Sequence, residues 1–196
     1  MAAPFRFYAS GKFRFPMLYS RQQAGMRMIT IRNARLDEAT LLAEIGVRAW
    51  EKAMAPVGET GSMADNARRA FLNFTNSGFL TISVIELNGA TAGWAAREDL
   101  DEVISDLWID PAYQGKGLGT ALLAEVEAEI VHQGFVKASM QTHARNTETV
   151  SFFEKHGYAV HWLTTAYNPK LDRDVQSVGL SKQLVEVAPA VYGQEF

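Results

Sequence analysis

The 196-residue sequence has no cysteine, which excludes disulfide bonds, a thiolate nucleophile and cysteine-ligated metal sites. No apolar run approaches the roughly 20 residues that span a bilayer. The start of the sequence also shows no short apolar segment of the kind that a signal peptide contains. The four histidines show no metal-ligand spacing. A formal net charge of −3 gives no indication of nucleic-acid binding. We therefore expect a cytoplasmic protein without metal, membrane or nucleic-acid partners.

Charge is unevenly distributed along the chain. The first 27 residues contain five basic and no acidic side chains, interleaved with aromatic residues. We interpret this basic aromatic leader, 1–27, as a flexible arm or a start-site extension before Met28. An organelle-targeting segment and a nucleic-acid contact are the alternatives. Residues 28–184 are predicted to form one domain, and 185–196 a C-terminal tail.

From Ile29 onward, strand and helix patterns alternate, as in α/β proteins. Asn88-Gly89 is the residue pair best suited to a two-residue type I′ hairpin turn. Apolar spacing predicts helices from the N-cap Asp37 to about 54, over 63–76, from 118 to the C-cap Gly134, and over 147–156. Strands are predicted over 28–32, 79–87, 90–97, 102–110, 135–142, 158–167 and 174–182, the last two joined through Asn168-Pro169.

The most informative segment is the glycine-rich stretch that follows the strand 102–110 and opens a helix. Successive backbone N–H groups at a helix N-terminus bind anions, and glycines let a ligand approach closely. A P-loop is excluded because Lys116 is followed by Gly117 instead of Ser or Thr. The spacing of Gly115, Gly117 and Gly119 also differs from that of a dinucleotide-binding fingerprint. The stretch therefore predicts a phosphate-binding loop of another kind.

This segment resembles the acyl-CoA loop of the GCN5-related N-acetyltransferase superfamily, whose pattern is Gln or Arg, two residues, Gly, one residue, and Gly or Ala. Gln114, Gly117 and Gly119 match it, and residues 145–158 resemble a second block of the family. The resemblance covers about 28–183. It implies an α/β (α+β) fold with a mixed, mostly antiparallel central sheet of about seven strands flanked by helices. Strands four and five would run parallel and splay apart to hold acyl-CoA.

The resemblance also implies acetyl-CoA as co-substrate. Unpaired backbone groups of strand four would bind the pantetheine arm, and a backbone N–H of Trp108 or Ile109 would hold the thioester oxygen. Asn146 also suits a helix N-cap. Phe153 stands where the family usually has a tyrosine that protonates the departing thiolate, and phenylalanine cannot donate a proton. The implied cofactor-binding residues are Leu107, Trp108, Ile109, Gln114, Gly115, Lys116, Gly117, Leu118, Gly119, Thr120, Asn146, Phe153 and Lys155.

The general base is not assigned by the resemblance, because Gln141 occupies the position of a glutamate in certain peptide-acetylating relatives. The candidate bases are Glu102 and Asp106, which would share a strand face by parity. His143 is a further candidate, and Glu98 and Asp101 lie nearer the hairpin turn. Together these carboxylates form an acidic rim that would attract a cationic amine.

The expected function is acetyl-CoA-dependent transfer of an acetyl group to a primary amine by direct attack. The alternative is a catalytically weak or inactive CoA-binding sensor or scaffold of the same fold. The acceptor is a small amine or a peptide or protein amine, and a homodimer is the expected assembly. Segments 50–78 and 167–174 are expected to flank the acceptor. The candidate acceptor contacts are Trp50, Glu51, Met54 and Trp94.

Overall fold

The computed structural model describes residues 27–58, 61–168 and 173–186, and these contain eight strands and four α-helices. The strands are β1 (Ile29–Asn33), β2 (Ile82–Leu87), β3 (Ala90–Ala96), β4 (Val103–Ile104), β5 (Asp106–Ile109), β6 (Lys137–His143), β7 (Ala159–Asn168) and β8 (Arg173–Gln183). The helices are α1 (Ala39–Met54), α2 (Gly61–Ser77), α3 (Leu118–His132) and α4 (Thr147–Lys155). The leader up to residue 26, Pro169 of the last predicted loop, and the tail from residue 187 lie outside the described residues.

The described strands form two four-stranded sheets. One has the order β1-β2-β3-β5 with antiparallel neighbours throughout. The other has the order β4-β6-β8-β7, in which only β4 and β6 run parallel. The predicted mixed, mostly antiparallel α/β architecture is therefore confirmed. The strand number differs because the single strand predicted over 102–110 is divided into β4 and β5.

This division occurs at Ser105. The Ser105 N–H donates to the Ala96 carbonyl oxygen at 3.0 Å, while the strand register pairs Asp106 with the same Ala96. Ser105 and Asp106 thus both lie opposite Ala96, and two residues opposite one define a β-bulge. Before the bulge, β4 pairs with β6, and after the bulge, β5 pairs with β3. The predicted splay appears as a gap between β5 and β6, which starts at this bulge.

α3 packs on one face of the first sheet and α1 on the other. α3 and α4 contribute to one buried cluster, and α1 and α2 to the other. Trp94 is at the centre of the second cluster and donates its Nε1–H to the Leu42 carbonyl oxygen at 2.8 Å. Gly46 in α1 lets the Phe71 ring approach, because a Cβ at Gly46 would lie only 2.7 Å from Phe71 Cδ1. The α1–α2 layer therefore packs closely on β3 and β5.

The start of α1 differs from the prediction. Residues 36–38 form a 3₁₀ turn, so Asp37 is not the N-cap. The Glu38 carboxylate instead accepts the Arg35 N–H at 2.9 Å and pairs with Arg32. This arginine contact lowers the pKa of Glu38 below its ordinary value. The end of α1 at Met54 agrees with the prediction.

The first hairpin also shows one agreement and one difference. Asn88 and Gly89 both have positive φ, 54° and 81°, as a type I′ turn requires. The strand before them is shorter than predicted, because residues 79–81 form a 3₁₀ turn. The Thr81 N–H donates to Gly78 O within that turn. β2 consequently begins only at Ile82.

Candidate active site

A cleft of about 440 Å³ lies along β5, the end strand of the first sheet, on the side away from β3. Its walls come from β5, the glycine-rich loop, the first turn of α3, and α4. The lining residues are Leu107, Ile109, Tyr113, Gln114, Gly115, Gly117, Leu118, Gly119, Thr120, Glu148, Thr149, Phe152 and Phe153. A smaller adjoining cavity adds Lys52 of α1 and Asn146. The fold therefore brings residues of both sequence blocks to one cleft.

The glycine loop exposes backbone N–H groups to this cleft. Gly115 and Gly117 have φ values of +71° and +80°, and a Cβ at either would meet no atom within 4 Å. Gly117 is the N-cap of α3 and provides no capping side chain. The N–H groups of the first helical turn, from Leu118 to Thr120, have no acceptor within the helix. The loop thus has open space and free donors for an anionic group.

Two polar side chains of the loop contact the protein itself. Gln114 donates its Nε2–H to the Ile109 carbonyl oxygen at 3.0 Å, and its Oε1 accepts from Lys52 Nζ. Lys116 Nζ donates to Ala112 O at 2.9 Å and lies 4.8 Å from the centroid of the Tyr113 ring. These contacts hold the loop between α1 and β5. Lys52 was not found from the sequence, because helix α1 carries no motif that marks it.

The backbone of β5 presents alternate residues to the cleft. The Asp110 N–H donates to Ala92 O at 2.9 Å, so residues of its parity, including Trp108, direct their backbone groups toward β3. Leu107 and Ile109 have the opposite parity and direct theirs into the gap. The expectation that the Trp108 backbone holds the thioester oxygen is therefore wrong.

The start of α4 forms the opposite rim of the cleft. Asn146 Oδ1 accepts the Thr149 N–H at 3.3 Å, as an N-cap does, and its Nδ2 lies 3.4 Å from Thr142 Oγ1. Asn146 also lines the smaller cavity, so both interpretations of this residue remain compatible with the geometry. Lys155 is exposed and does not line either cavity.

Phe153 is 2% exposed and forms part of the cleft wall. Its ring makes edge contacts with Phe152 and Tyr158, with centroids 5.3 and 4.9 Å away. The Tyr158 hydroxyl is buried beside Glu127, and burial together with the negative charge of Glu127 raises the pKa of this phenol. A buried phenol beside Glu127 is not available to replace a proton donor in the cleft.

The two candidate bases lie in different environments. Because the bulge shifts the alternation of side chains, Ile104 packs in the α3–α4 cluster whereas Trp108 packs against the α1–α2 cluster. Glu102 lies two positions before Ile104, and Asp106 lies two positions before Trp108. The two carboxylates therefore lie on opposite faces of the sheet, and the prediction that they share a face is wrong. Glu102 lies 3.5 Å from Lys137 Nζ in an ion pair.

Asp106 is the more deeply placed carboxylate. Its Oδ1 accepts the Trp108 indole N–H at 2.7 Å. Burial raises the pKa of Asp106 above its ordinary value, hydrogen bonds from Trp108 and Ser105 partly offset this, and repulsion from Glu98 adds to the increase. A carboxyl group with a raised pKa is a better proton acceptor in its ionised form than a solvated one.

A separate cavity of about 290 Å³ lies between α1, α2 and β5. Its walls are Trp50, Ala67, Ala70, Phe71, Phe74 and Asp106. Of the predicted acceptor contacts, only Trp50 lines it. Trp94 is 0% exposed, so its assignment as an acceptor contact is wrong. Glu51 and Met54 are half-buried elsewhere, and Glu51 lies 3.9 Å from Arg68.

An open groove on the other side of the bulge contains Gln141 and His143. Val103, Ser105 and Ser177 also line this groove of about 400 Å³. The His143 Nδ1 accepts the Arg145 N–H at 3.0 Å, so this nitrogen is engaged within its own turn. Across the described ranges, no group of three or more His, Asp or Glu side chains is arranged to hold a metal ion. None of the helices described there has the length and apolarity to cross a membrane.

Residues 45–158 match the sequence pattern of the acetyltransferase (GNAT) family. The chain belongs to this family. Among curated relatives, the [ribosomal protein bS18]-alanine N-acetyltransferase of Escherichia coli K12 is 27% identical over 113 residues, covering 57% of this chain and 70% of the relative. The family match over residues 45–158 includes the glycine loop, the bulge and α4 of this acetyltransferase.

Solved acetyltransferase structures share the fold. A GCN5-related N-acetyltransferase from Rhodopseudomonas palustris superposes with a TM-score of 0.64 at 22% identity, covering 79% of this chain and 95% of that one. The PaiA N-acetyltransferase from Thermoplasma acidophilum, solved in complex with coenzyme A, gives a TM-score of 0.60 at 18% identity and covers 80% and 99%.

Proposed function

We propose that this acetyltransferase moves the acetyl group of acetyl-CoA to a primary amine by direct attack. The observation that carries the proposal is the gap between β5 and β6, which opens from the bulge at Ser105 toward the glycine loop. Backbone groups of β5 face this gap, and the N-terminus of α3 lies at its far end. An acyl-CoA needs this combination of a strand edge for the amide-rich arm and N–H donors for the pyrophosphate.

The described residues fit such a ligand. The open directions above Gly115 and Gly117 leave room for phosphate groups near the first turn of α3. Leu107 and Ile109 would pair with the pantetheine amides, and the Ile109 carbonyl oxygen also accepts a hydrogen bond from Gln114. Thr120 adds a hydroxyl to the loop and lies 2.9 Å from His156 Nε2.

The chemistry then requires an oxyanion donor and a proton acceptor. Leu107 directly follows the bulge, and its N–H faces the gap, so it is our candidate donor for the thioester oxygen. Such a preorganised donor contributes about 3–4 kcal/mol to the transition state. We assign the base role to Asp106, because Glu102 is paired with Lys137. The amine nitrogen bonds to the carbonyl carbon, Asp106 takes its proton, and the carbon–sulfur bond breaks.

The departing CoA thiolate is protonated by water in this scheme. A thiol has an ordinary pKa of about 8.5, so its thiolate leaves without an essential acid. Phe153, buried between Phe152 and Tyr158, offers no proton. The same residue is the observation that favours the second candidate, a CoA-binding sensor with weak or no turnover.

The test combines binding and turnover. We expect acetyl-CoA to bind in calorimetry and amines to release free CoA, which a thiol reagent detects without background because the chain has no cysteine. Mass spectrometry should show the amine 42 Da heavier, the mass of one acetyl group replacing hydrogen. Binding without release across a broad amine panel would favour the sensor, and absence of binding would refute both candidates.

Location and assembly are further parts of the proposal. A cytoplasmic location is supported by the cysteine-free sequence. A homodimer is supported by β7, which lies at the end of its sheet and exposes Val160, Leu163 and Tyr167. Fractionation of cells and light scattering of the purified protein would test these two statements.

A further inference from the structure

The cavity between α1, α2 and β5 combines one carboxylate with a largely aromatic wall. Trp50, Phe71 and Phe74 supply three rings, and Ala67 and Ala70 leave space beside them. Phe71 is fixed by edge contacts with Trp94 and Trp108, at centroid distances of 6.1 and 5.4 Å. The Phe71 part of the cavity wall therefore belongs to the packed core.

Asp106 is the single acidic group in this wall, and no cation among the described residues forms an ion pair with it. The ion pairs of the described residues connect Asp110 to Arg48 and Glu102 to Lys137, but they do not include Asp106. A partly buried carboxylate among aromatic rings is costly unless a cation approaches it. An ammonium group would receive an ion pair from the carboxylate and cation–π contacts from the rings.

The position of the cavity relates it to the acetyl group. Asp106 and Leu107 are consecutive residues at the bulge, with Asp106 in the aromatic cavity and Leu107 in the acyl-CoA cleft. Their side chains point to opposite faces of the sheet, and the Leu107 N–H lies at the strand edge between the two faces. An amine nitrogen held by Asp106 would therefore approach the proposed thioester from the α1–α2 face. The rest of the acceptor would lie among the rings of α1 and α2.

We infer that the acceptor is a compact primary monoamine with an apolar body, an arylalkylamine or a branched alkylamine, bound with its ammonium at Asp106 and its body against Trp50, Phe71 and Phe74. This inference rests on the proposed acetyl transfer and specifies its acceptor. The volume of about 290 Å³ suits one ring or one short branched chain. Asp106 is the one carboxylate in the lining and matches one ammonium group, whereas a polyamine would bring a second cation against the aromatic rings.

Binding of the amine can be measured without acetyl-CoA, which separates this inference from the proposed transfer. We use 2-phenylethylamine and 3-methylbutylamine as probes in calorimetry, with 2-phenylethanol as the matched compound that lacks the cation. We expect both amines to bind, and the alcohol to bind at least about tenfold more weakly. Spermidine and a tetrapeptide with N-terminal alanine serve as the competing acceptor classes.

Two variants test the two halves of the cavity. Ala67→Leu fills the space between the rings, and its control is Ala124→Leu on the exposed side of α3. Asp106→Asn removes the charge while keeping an oxygen for the Trp108 indole, and its control is Asp99→Asn in the exposed turn after β3. Each test variant should weaken 2-phenylethylamine binding at least about tenfold, and each control should leave it unchanged.

The turnover comparison completes the experiment. We expect kcat/KM for the two apolar monoamines to exceed that for spermidine and for the peptide at least about tenfold. The inference is overturned if neither monoamine binds, if Ala67→Leu and Asp106→Asn bind 2-phenylethylamine as the wild type does, or if spermidine or the peptide is the better acceptor. If only the proposed acetyl transfer were wrong, the amines would still bind to the cavity, but acetyl-CoA would not bind to the protein.

Discussion

Substituting asparagine for Gly117 is the most direct test of the cofactor loop. Gly117 has φ of +80° and is the N-cap of α3, and its missing Cβ points into open space at the cleft. Asparagine tolerates the left-handed backbone region better than other residues with a side chain. The variant should therefore fold, while its side chain occupies the space through which a phosphate group would reach the N–H donors.

The structure supports an estimate of both effects. The left-handed conformation costs a residue with a Cβ about 1 kcal/mol of folding free energy relative to glycine. Hydrogen bonds to a charged group are worth about 1.5–3 kcal/mol each, so losing one phosphate contact weakens acetyl-CoA affinity about 10- to 150-fold. Gly134→Asn is the matched control, because Gly134 has φ of +92°, equally open surroundings and a position after α3, far from the loop.

The assay is calorimetric titration with acetyl-CoA, together with thermal melting of both variants. We expect similar melting temperatures for Gly117→Asn and Gly134→Asn, and weakened acetyl-CoA binding only for Gly117→Asn. Wild-type affinity in a folded Gly117→Asn protein would show that the phosphates do not approach this loop. Equal weakening in both variants would indicate a general effect of the substitution and would also contradict the reasoning.

Three further predictions concern the carboxylates and Phe153. Glu102→Gln should change kcat by less than about twofold, since exposed ion pairs like the one with Lys137 contribute little; a tenfold fall in the pH-rate profile would return Glu102 to the candidate bases. Phe153→Tyr should keep or raise turnover, up to about a hundredfold where chemistry limits the rate, in steady-state assays of thiol release; a folded variant with no transfer would show that the phenylalanine shapes the site in another way. The pKa of Asp106 is raised in the folded chain, so the folded state loses stability as pH rises from the ordinary aspartate value through the raised one. Asp106→Asn should accordingly raise the melting temperature at pH 8 and leave it nearly unchanged at pH 3, and a lower melting temperature at pH 8 would contradict the stated burial effect.

The hairpin at Asn88-Gly89 and the glycine loop are cases in which local chemistry was sufficient. Both require positive φ at defined residues, and few residue types adopt that conformation readily. The periods of the apolar residues likewise predicted α1, α3 and α4 within one or two residues. The predicted start of α1 was wrong because Glu38, not Asp37, accepts the Arg35 N–H. The position of the Glu38 carboxylate depends on its ion pair with Arg32 of β1.

The sequence by itself determined the family, the order of elements and the segment that forms the phosphate-binding loop, because these depend on residues close together in the chain. Only the tertiary structure decided which residues of 102–110 face the cleft. The bulge at Ser105 inserts one residue against Ala96, which reverses the side-chain alternation and separates Glu102 from Asp106. A single extra residue leaves no pattern in the local sequence. The position of the bulge is set only when the segment pairs with β6 on one side of Ser105 and with β3 on the other.

The acceptor cavity is likewise a product of the tertiary structure. The spacing of Phe71 and Phe74 predicted that both face inward from α2, and they do. An inward-facing residue can belong to the packed core or line a cavity, and the spacing does not distinguish the two. Trp94 and Trp50 were equally plausible acceptor contacts in the sequence, yet one is enclosed by the α1–α2 layer and the other lines the cavity. Periodicity reports which side of a helix is apolar, whereas the distance between packed elements decides whether that side is filled by the chain or left open for a ligand.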